Sequence, residues 1–335
     1  MVKKALRIAA GAVSLVAVGR LFRRGFALGE KVVLISGGSR GLGLVLARAL
    51  VKRGAKVALC GRDEGSLSRA RADLAGRGGD VFTFACDVGN REDVERLVAA
   101  VRERFGRIDA LINNAGTIQV GPVETMEPSD YEEALRIHFW GPLHATLAVL
   151  PEMKARKAGR IVNISSFGGK VSVPHLVPYS ASKFALVGFS EGLTAELAKD
   201  GVRVTTVCPG LMRTGSPRNA FFKGKHKAEY AWFKLGDSVP GLSISAESAA
   251  ERIVQAMERG EAEVILSLPA KLAVWVHGLF PGFTADALAW VNRLLPKPGG
   301  IGKARAKGKE SESIVTRSWV TSLTQQAEMQ NNEWA

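Results

Sequence analysis

Seven short β-branched runs, separated by stretches of helical periodicity, constrain this chain more than any other feature. They are KVVLIS (31–36), KVALC (56–60), DVFTFAC (80–86), IDALIN (108–113), GRIVNIS (159–165), VRVTTVC (202–208) and AEVILS (262–267). Amphipathic segments between them begin near Gly43, Glu64, Arg91, Ser129, Tyr179 and Ala246. Strands that are apolar almost throughout belong to a sheet covered on both faces, and intervening helices supply the right-handed crossovers that parallel pairing needs. The predicted fold is α/β: a doubly wound, seven-stranded parallel sheet with helices on both faces. Its ligand crevice lies at the carboxyl ends of the strands.

Around this unit the chain divides into four parts. Residues 1–30 form a basic, apolar N-terminal extension, and 31–268 the catalytic domain, with a lid at about 213–242. Residues 269–296 read as amphipathic C-terminal helices, and 297–335, rich in Gly, Lys, Ser and Gln, as a mostly disordered tail with a short docked segment near Trp319. The N-terminal run Ile8–Gly19 is apolar for 12 residues between basic flanks. That is short of the roughly 20 residues a membrane span requires. It reads equally as an interfacial helix or as a helix packed on the domain.

The formal charge is +14, and 10 of those charges sit in two places. Residues 1–30 hold six Lys and Arg against Glu30, and residues 213–234 hold six against Glu229, so each contributes +5. Concentration of this kind suits an anionic membrane surface, an anionic substrate or a solvated loop, and no nucleic-acid motif accompanies it. Cys60, Cys86 and Cys208 are an odd number at the ends of apolar runs. They read as small buried residues of a reducing compartment, so the expected location is cytoplasmic, with membrane association.

Four motifs carry chemistry. The first run ends in SGGSRGLG (Ser36–Gly43), where Ser36, Gly37, Ser39, Arg40, Leu42 and Gly43 let the backbone turn tightly against a pyrophosphate at a helix N-terminus. The second run ends at Gly61 and Arg62, with no carboxylate before Asp63 to accept bonds from a free ribose 2′-hydroxyl. Arg62 and Arg40 instead suit a 2′-phosphate, which selects NADP(H) over NAD(H). PYSASKFALVGF puts Tyr179 and Lys183 one helical turn apart, the pairing in which an ammonium lowers a phenol's pKa for acid/base work. Ser166 precedes Tyr179 by 13 positions, just after a strand, where its hydroxyl can bind a substrate oxygen.

Together with NNAG (113–116) and the Pro209–Gly210 turn, these motifs resemble the short-chain dehydrogenase/reductase family in order and spacing, from about Lys31 to Leu266. The resemblance implies a Rossmann fold and an NADP(H)-dependent oxidoreductase that interconverts a carbonyl and an alcohol. It implies Tyr179 as acid/base, Ser166 as the group orienting the carbonyl, and Lys183 as holder of the nicotinamide ribose. It further implies Asp87 and Val88 beside the adenine, Asn113 on the adenosine side, Thr214 at the nicotinamide carboxamide, and a homo-oligomer. One departure is HFWG, which puts His138 where the family usually carries asparagine. His138 therefore reads either as part of a modified proton relay or as a satisfied structural histidine.

The aromatic residues of the 213–242 segment, Phe221, Phe222, Tyr230, Trp232 and Phe233, suggest a lid over a hydrophobic small-molecule substrate, drawn from or near a bilayer, with peripheral membrane contact. The alternatives are a soluble 3-ketoacyl-thioester reductase and a non-catalytic NADPH-binding sensor.

Overall fold

The computed structural model describes residues 25–239, 241, 243–318 and 321–334. The apolar run Ile8–Gly19 and Trp319 lie outside the described residues. Seven strands, β1 (Val32–Ser36), β2 (Lys56–Gly61), β3 (Val81–Ala85), β4 (Ala110–Asn113), β5 (Gly159–Ile164), β6 (Val202–Pro209) and β7 (Glu263–Leu266), form one sheet. Its order is β7-β6-β5-β4-β1-β2-β3 and every pairing is parallel. The predicted α/β sheet is the observed one.

Both faces are sealed, which is why the strands could not alternate polar and apolar residues. On one face α1 (Gly41–Val51), α2 (Glu64–Ala75) and α8 (Ala246–Arg259) pack Leu46, Leu50, Leu74 and Ile253 against Val33, Ile35 and Leu59. On the other, α3 (Arg91–Phe105), α5 (Gly141–Ala155) and α6 (Val177–Leu197) bring Val101, Val149 and Leu197 against Leu34, Leu111 and Ile161. Sequence-local caps punctuate these helices: Asp63 accepts from the Ser66 N–H at 2.7 Å, Asn90 from Asp93 at 3.0 Å, and Gly106 and Gly260 close α3 and α8 in the left-handed region.

The stretch expected to open one helix near Ser129 holds two. Helix α4 (Pro128–Leu135) runs through a single π turn, Arg136–Trp140, into α5. Such a turn accommodates one residue too many for α-helical phase and so redirects side chains, here that of His138.

The lid departs from its expected form. Phe222 and Tyr230, on or beside α7 (His226–Ser238), are fully buried among Val120, Leu176 and Ala220, with Trp232 and Phe233 packed against them. These aromatics seat the lid on the domain, and only Phe221 lines the cleft. Nor is the lid a basic face throughout. Lys223 is buried 2.6 Å from Asp130, and Lys234 is buried 2.7 Å from Glu328.

The segment read as a disordered tail is folded over most of its described length. Ala306–Lys307 pairs antiparallel with Phe221–Phe222, which itself pairs parallel with Gln119–Val120, and α11 (Ser322–Gln330) packs on α7 through Glu328 and Thr324. Its anchors are specific polar contacts with distant side chains, which low hydrophobicity and absent periodicity conceal.

Between β7 and that tail, α9 (Leu268–Leu279) and α10 (Pro281–Asn292) form a hairpin. Of its residues only Ala270 is buried, while Leu268, Trp275, Leu279, Phe280, Phe283 and Trp290 are all more than 60% exposed. Among the described residues no helix is long and apolar enough to cross a membrane.

Candidate active site

A cleft of about 740 Å³ opens at the carboxyl ends of β1, β2, β4, β5 and β6, where the strand order reverses between β1 and β4. Its glycine-rich floor is shaped by close approach. A β-carbon on Gly43 would stand 2.1 Å from the Gly37 carbonyl oxygen, so no larger residue allows the turn to fold onto α1. Asn114 braces the turn, donating from Nδ2 to the carbonyls of Gly37 (2.9 Å) and Ser36 (3.2 Å).

Gly37, Ser39, Arg40 and Leu42 line the cleft at this end, with Arg62, Asp87 and Val88 beyond β2 and β3. The Asp87 carboxyl is partly buried, but its bond from Arg136 (2.8 Å) and that from the Gly89 N–H hold it below the usual carboxylate range. Three expected residues are not on the wall. Ser36 turns its hydroxyl to the N–H groups of Asn114 (3.0 Å) and Ala115 (3.1 Å), and Gly43 packs behind the turn. The Asn113 amide is buried and donates to Asn163 Oδ1 at 2.8 Å, while Asn114 takes the wall position.

At the other end the structure brings together Ser166, Tyr179, Lys183, His138 and Thr214. Ser166 follows β5, and Tyr179 and Lys183 lie in the first two turns of α6. Gly169 lets the serine loop close on that helix, since a β-carbon there would come within 2.8 Å of the Lys183 carbonyl oxygen. Burial pushes the Tyr179 phenol up to about 12, against a hydrogen bond from Ser166 that pulls it down. Burial also pushes the Lys183 amine down to about 7, and its Nζ donates to the Ile164 carbonyl at 2.8 Å. The sequence suggested an ammonium lowering the phenol; here burial dominates, the lowering comes from Ser166 rather than Lys183, and at neutral pH Tyr179 is a protonated donor.

His138 has no free nitrogen. Nε2 accepts from the Thr117 N–H at 3.1 Å; Ser182 donates to the Tyr179 carbonyl at 2.8 Å, so its oxygen takes the Nδ1 proton of His138 at 2.7 Å. Burial and the nearby Lys183 charge hold the ring well below its usual pKa. A neutral ring bonded at both nitrogens leaves the expected relay no route through it, and the structural alternative fits.

Two cleft residues that the sequence did not signal come from the tail, Glu333 beside Arg40 and Gly41, and Lys307 near Phe221. The docked segment expected near Trp319 lies outside the described residues.

The profile of the short chain dehydrogenase family matches residues 31–222. The chain belongs to the short-chain dehydrogenase/reductase family. It is 36% identical over 244 residues to a putative ketoacyl reductase of Streptomyces coelicolor, covering 70% of this chain and 93% of that one. With a dehydrogenase/reductase SDR family protein 7-like of Anopheles gambiae it shares 36% identity over 261 residues, covering 76% and 80%. Among solved structures it resembles an actinorhodin polyketide ketoreductase variant with NADPH, at 34% identity and TM-score 0.64, covering 71% of this chain and 96% of the other. As a member of this family, with Arg62 directly after β2 and Arg40 at the start of α1, the protein is an NADP(H)-dependent oxidoreductase that interconverts a carbonyl and an alcohol.

Proposed function

We propose that the substrate is a lipophilic ketone or alcohol taken from a membrane surface, and that Tyr179 exchanges the proton at its oxygen. The observation that carries this reading is the hairpin α9–α10. Its apolar residues are exposed rather than packed, and it is rooted at the cleft: Gly210, on the cleft wall, sits against Ser267 and Ala270 at the start of α9. Each helix has 12 residues, about 18 Å, too short to span a bilayer and suited to lying in its interface with two tryptophans. Lys271, Arg293 and Lys297 against Asp286 make the region net basic, which favours an anionic surface. The cleft offers Ile118, Ile137, Met212 and Phe221 as apolar contacts.

Bound NADPH supplies the reducing equivalent. Ser39, Arg40, Leu42 and Arg62 would hold its phosphates, Asp87 and Val88 its adenine, and Lys183 and Thr214 its nicotinamide half. Ser166 donates a hydrogen bond to the carbonyl oxygen, which polarises it. Tyr179, kept protonated by burial, gives that oxygen its proton, so carbonyl reduction is the direction the unassisted phenol favours at neutral pH. His138 acts as a positioning residue that fixes Ser182 and the Thr117 backbone.

The test follows NADPH oxidation with long-chain ketones presented in anionic vesicles, beside a small soluble ketone. Trp275→Ser with Phe283→Ser should abolish vesicle co-sedimentation and raise the apparent KM for the vesicle substrate about tenfold, leaving soluble-ketone turnover intact. Tyr179→Phe should lower kcat with both by roughly 10²–10⁴. Equal vesicle binding by the hairpin variant would sink the membrane reading. The second reading, a soluble 3-ketoacyl-thioester reductase, is favoured by the names of the Streptomyces relatives. It predicts thioester turnover indifferent to vesicles.

A further inference from the structure

The last described residues fold back across the cleft and bond to both of its walls. Helix α1 has no side-chain cap of its own, and the Gly41 N–H at its start donates to the Asn331 carbonyl at 2.9 Å. Asn332 Nδ2 donates to the carbonyls of Ser39 (2.8 Å) and Ser66 (3.1 Å), and its Oδ1 accepts from Arg69 at 2.8 Å. Arg48 donates to Asn331 Oδ1 at 3.1 Å and to the Gln330 carbonyl at 2.8 Å. On the opposite wall Asn219 donates to the Glu333 carboxylate at 2.5 Å and to its carbonyl at 3.1 Å, and Arg218 stacks 3.9 Å from the Trp334 ring.

The Glu333 side chain ends in an anion site. It is 3% exposed, its carboxylate is 3.6 Å from Arg40 Nε, and Oε1 lies 2.6 Å from where a Gly41 β-carbon would stand. The N-terminus of a helix with an arginine beside it is where a phosphate of the dinucleotide would be most favoured. Two anions cannot share that cradle without repulsion in a water-poor cleft. We propose that Glu333 determines cofactor affinity: its carboxylate occupies the cradle of Arg40 and the α1 N-terminus, and yields it when the phosphates of NADP(H) bind. This rests on the assignment of the cleft to NADP(H).

Ionisation gives the competition a pH dependence. Burial pushes the Glu333 carboxyl up to about 7; Arg40 from the glycine turn and Arg218 from the lid pull it down, while Glu328 of α11 pushes it further up. Below that pH the carboxyl is neutral and competes weakly; above it the carboxylate competes fully.

The experiment measures NADPH dissociation constants by cofactor fluorescence in the full chain, from pH 6 to 8.5. Glu333→Gln keeps the size and removes the charge, and Asn332→Ala loosens the strap without touching the charge. Both should bind NADPH more tightly at pH 8, by about fivefold or more, the lower range of measured coupling between sites. The wild-type advantage at low pH should vanish in Glu333→Gln, beyond the titration of the cofactor's own phosphate. Limited proteolysis should cut the wild-type segment 331–334 faster with NADPH present, trimming it from the cleft. Unchanged or weaker binding by Glu333→Gln would overturn the proposal, as would cofactor-induced protection from trimming. If no form of the protein binds NADPH, the cofactor assignment falls first and the proposal with it.

Discussion

At the scale of single residues, the chemistry of this enzyme is set by burial acting on groups whose identities the sequence makes plain. Ser166, Tyr179 and Lys183 converge where their spacing implied, but their protonation follows desolvation, which no spacing reveals. His138 is the clearest instance of a residue legible in type and illegible in role. The π turn aims it at the cleft, and the Thr117 N–H and Ser182 hydroxyl then use both ring nitrogens. His138→Asn should lower stability by about 1–3 kcal/mol, because at least one buried partner loses its bond. The shape of the kcat–pH profile should not change, since the ring is neutral across the working range. Loss of a limb from that profile would restore the relay.

At the scale of elements, the seven strands were legible to within about two residues at either end. Strands buried on both faces must be apolar throughout, and that pattern has few other uses. The lid was legible as an insertion and misread in orientation. Aromatics and lysines in an insertion look like a surface for a ligand, whereas here they are its foundations, held by Asp130, Glu328 and the apolar cluster of Val120, Leu176 and Ala220. One lid group still faces the chemistry. Asp237 on α7 is buried, which pushes its carboxyl up to about 8 from 3.8, and its charge raises the Tyr179 phenol. Because the folded pKa lies above the unfolded one, the group is neutral in both states below pH 3.8, and its ionisation opposes folding increasingly between there and pH 8. Asp237→Asn should therefore raise Tm by a few degrees at pH 9, with the gain shrinking as the pH falls through 8. Thermal scans at several pH values check the sign; a gain that grew on acidification would contradict it.

At the scale of the whole molecule, the parts beyond the sheet complete the site, and these were the least legible. The tail's stabilising partners are up to 293 positions away, as between Ser39 and Asn332, and they are polar contacts without periodicity. Nothing in a local window distinguishes such a segment from a disordered one. Lys234 and Glu328, each 1% exposed and 2.7 Å apart, join lid to tail through the interior. Lys234→Met alone should destabilise by about 3–5 kcal/mol because it strands a buried carboxylate, and Lys234→Met with Glu328→Leu should recover most of that loss. Denaturant titrations of the two variants decide it; additive losses would mean the pair is not coupled. Neither α7 nor α11 can part from the domain alone without leaving a naked charge in apolar surroundings, so lid and tail form one cooperative foldon. Their amide protons should exchange with solvent in a single opening event, although 93 residues separate Lys234 from Glu328 along the chain.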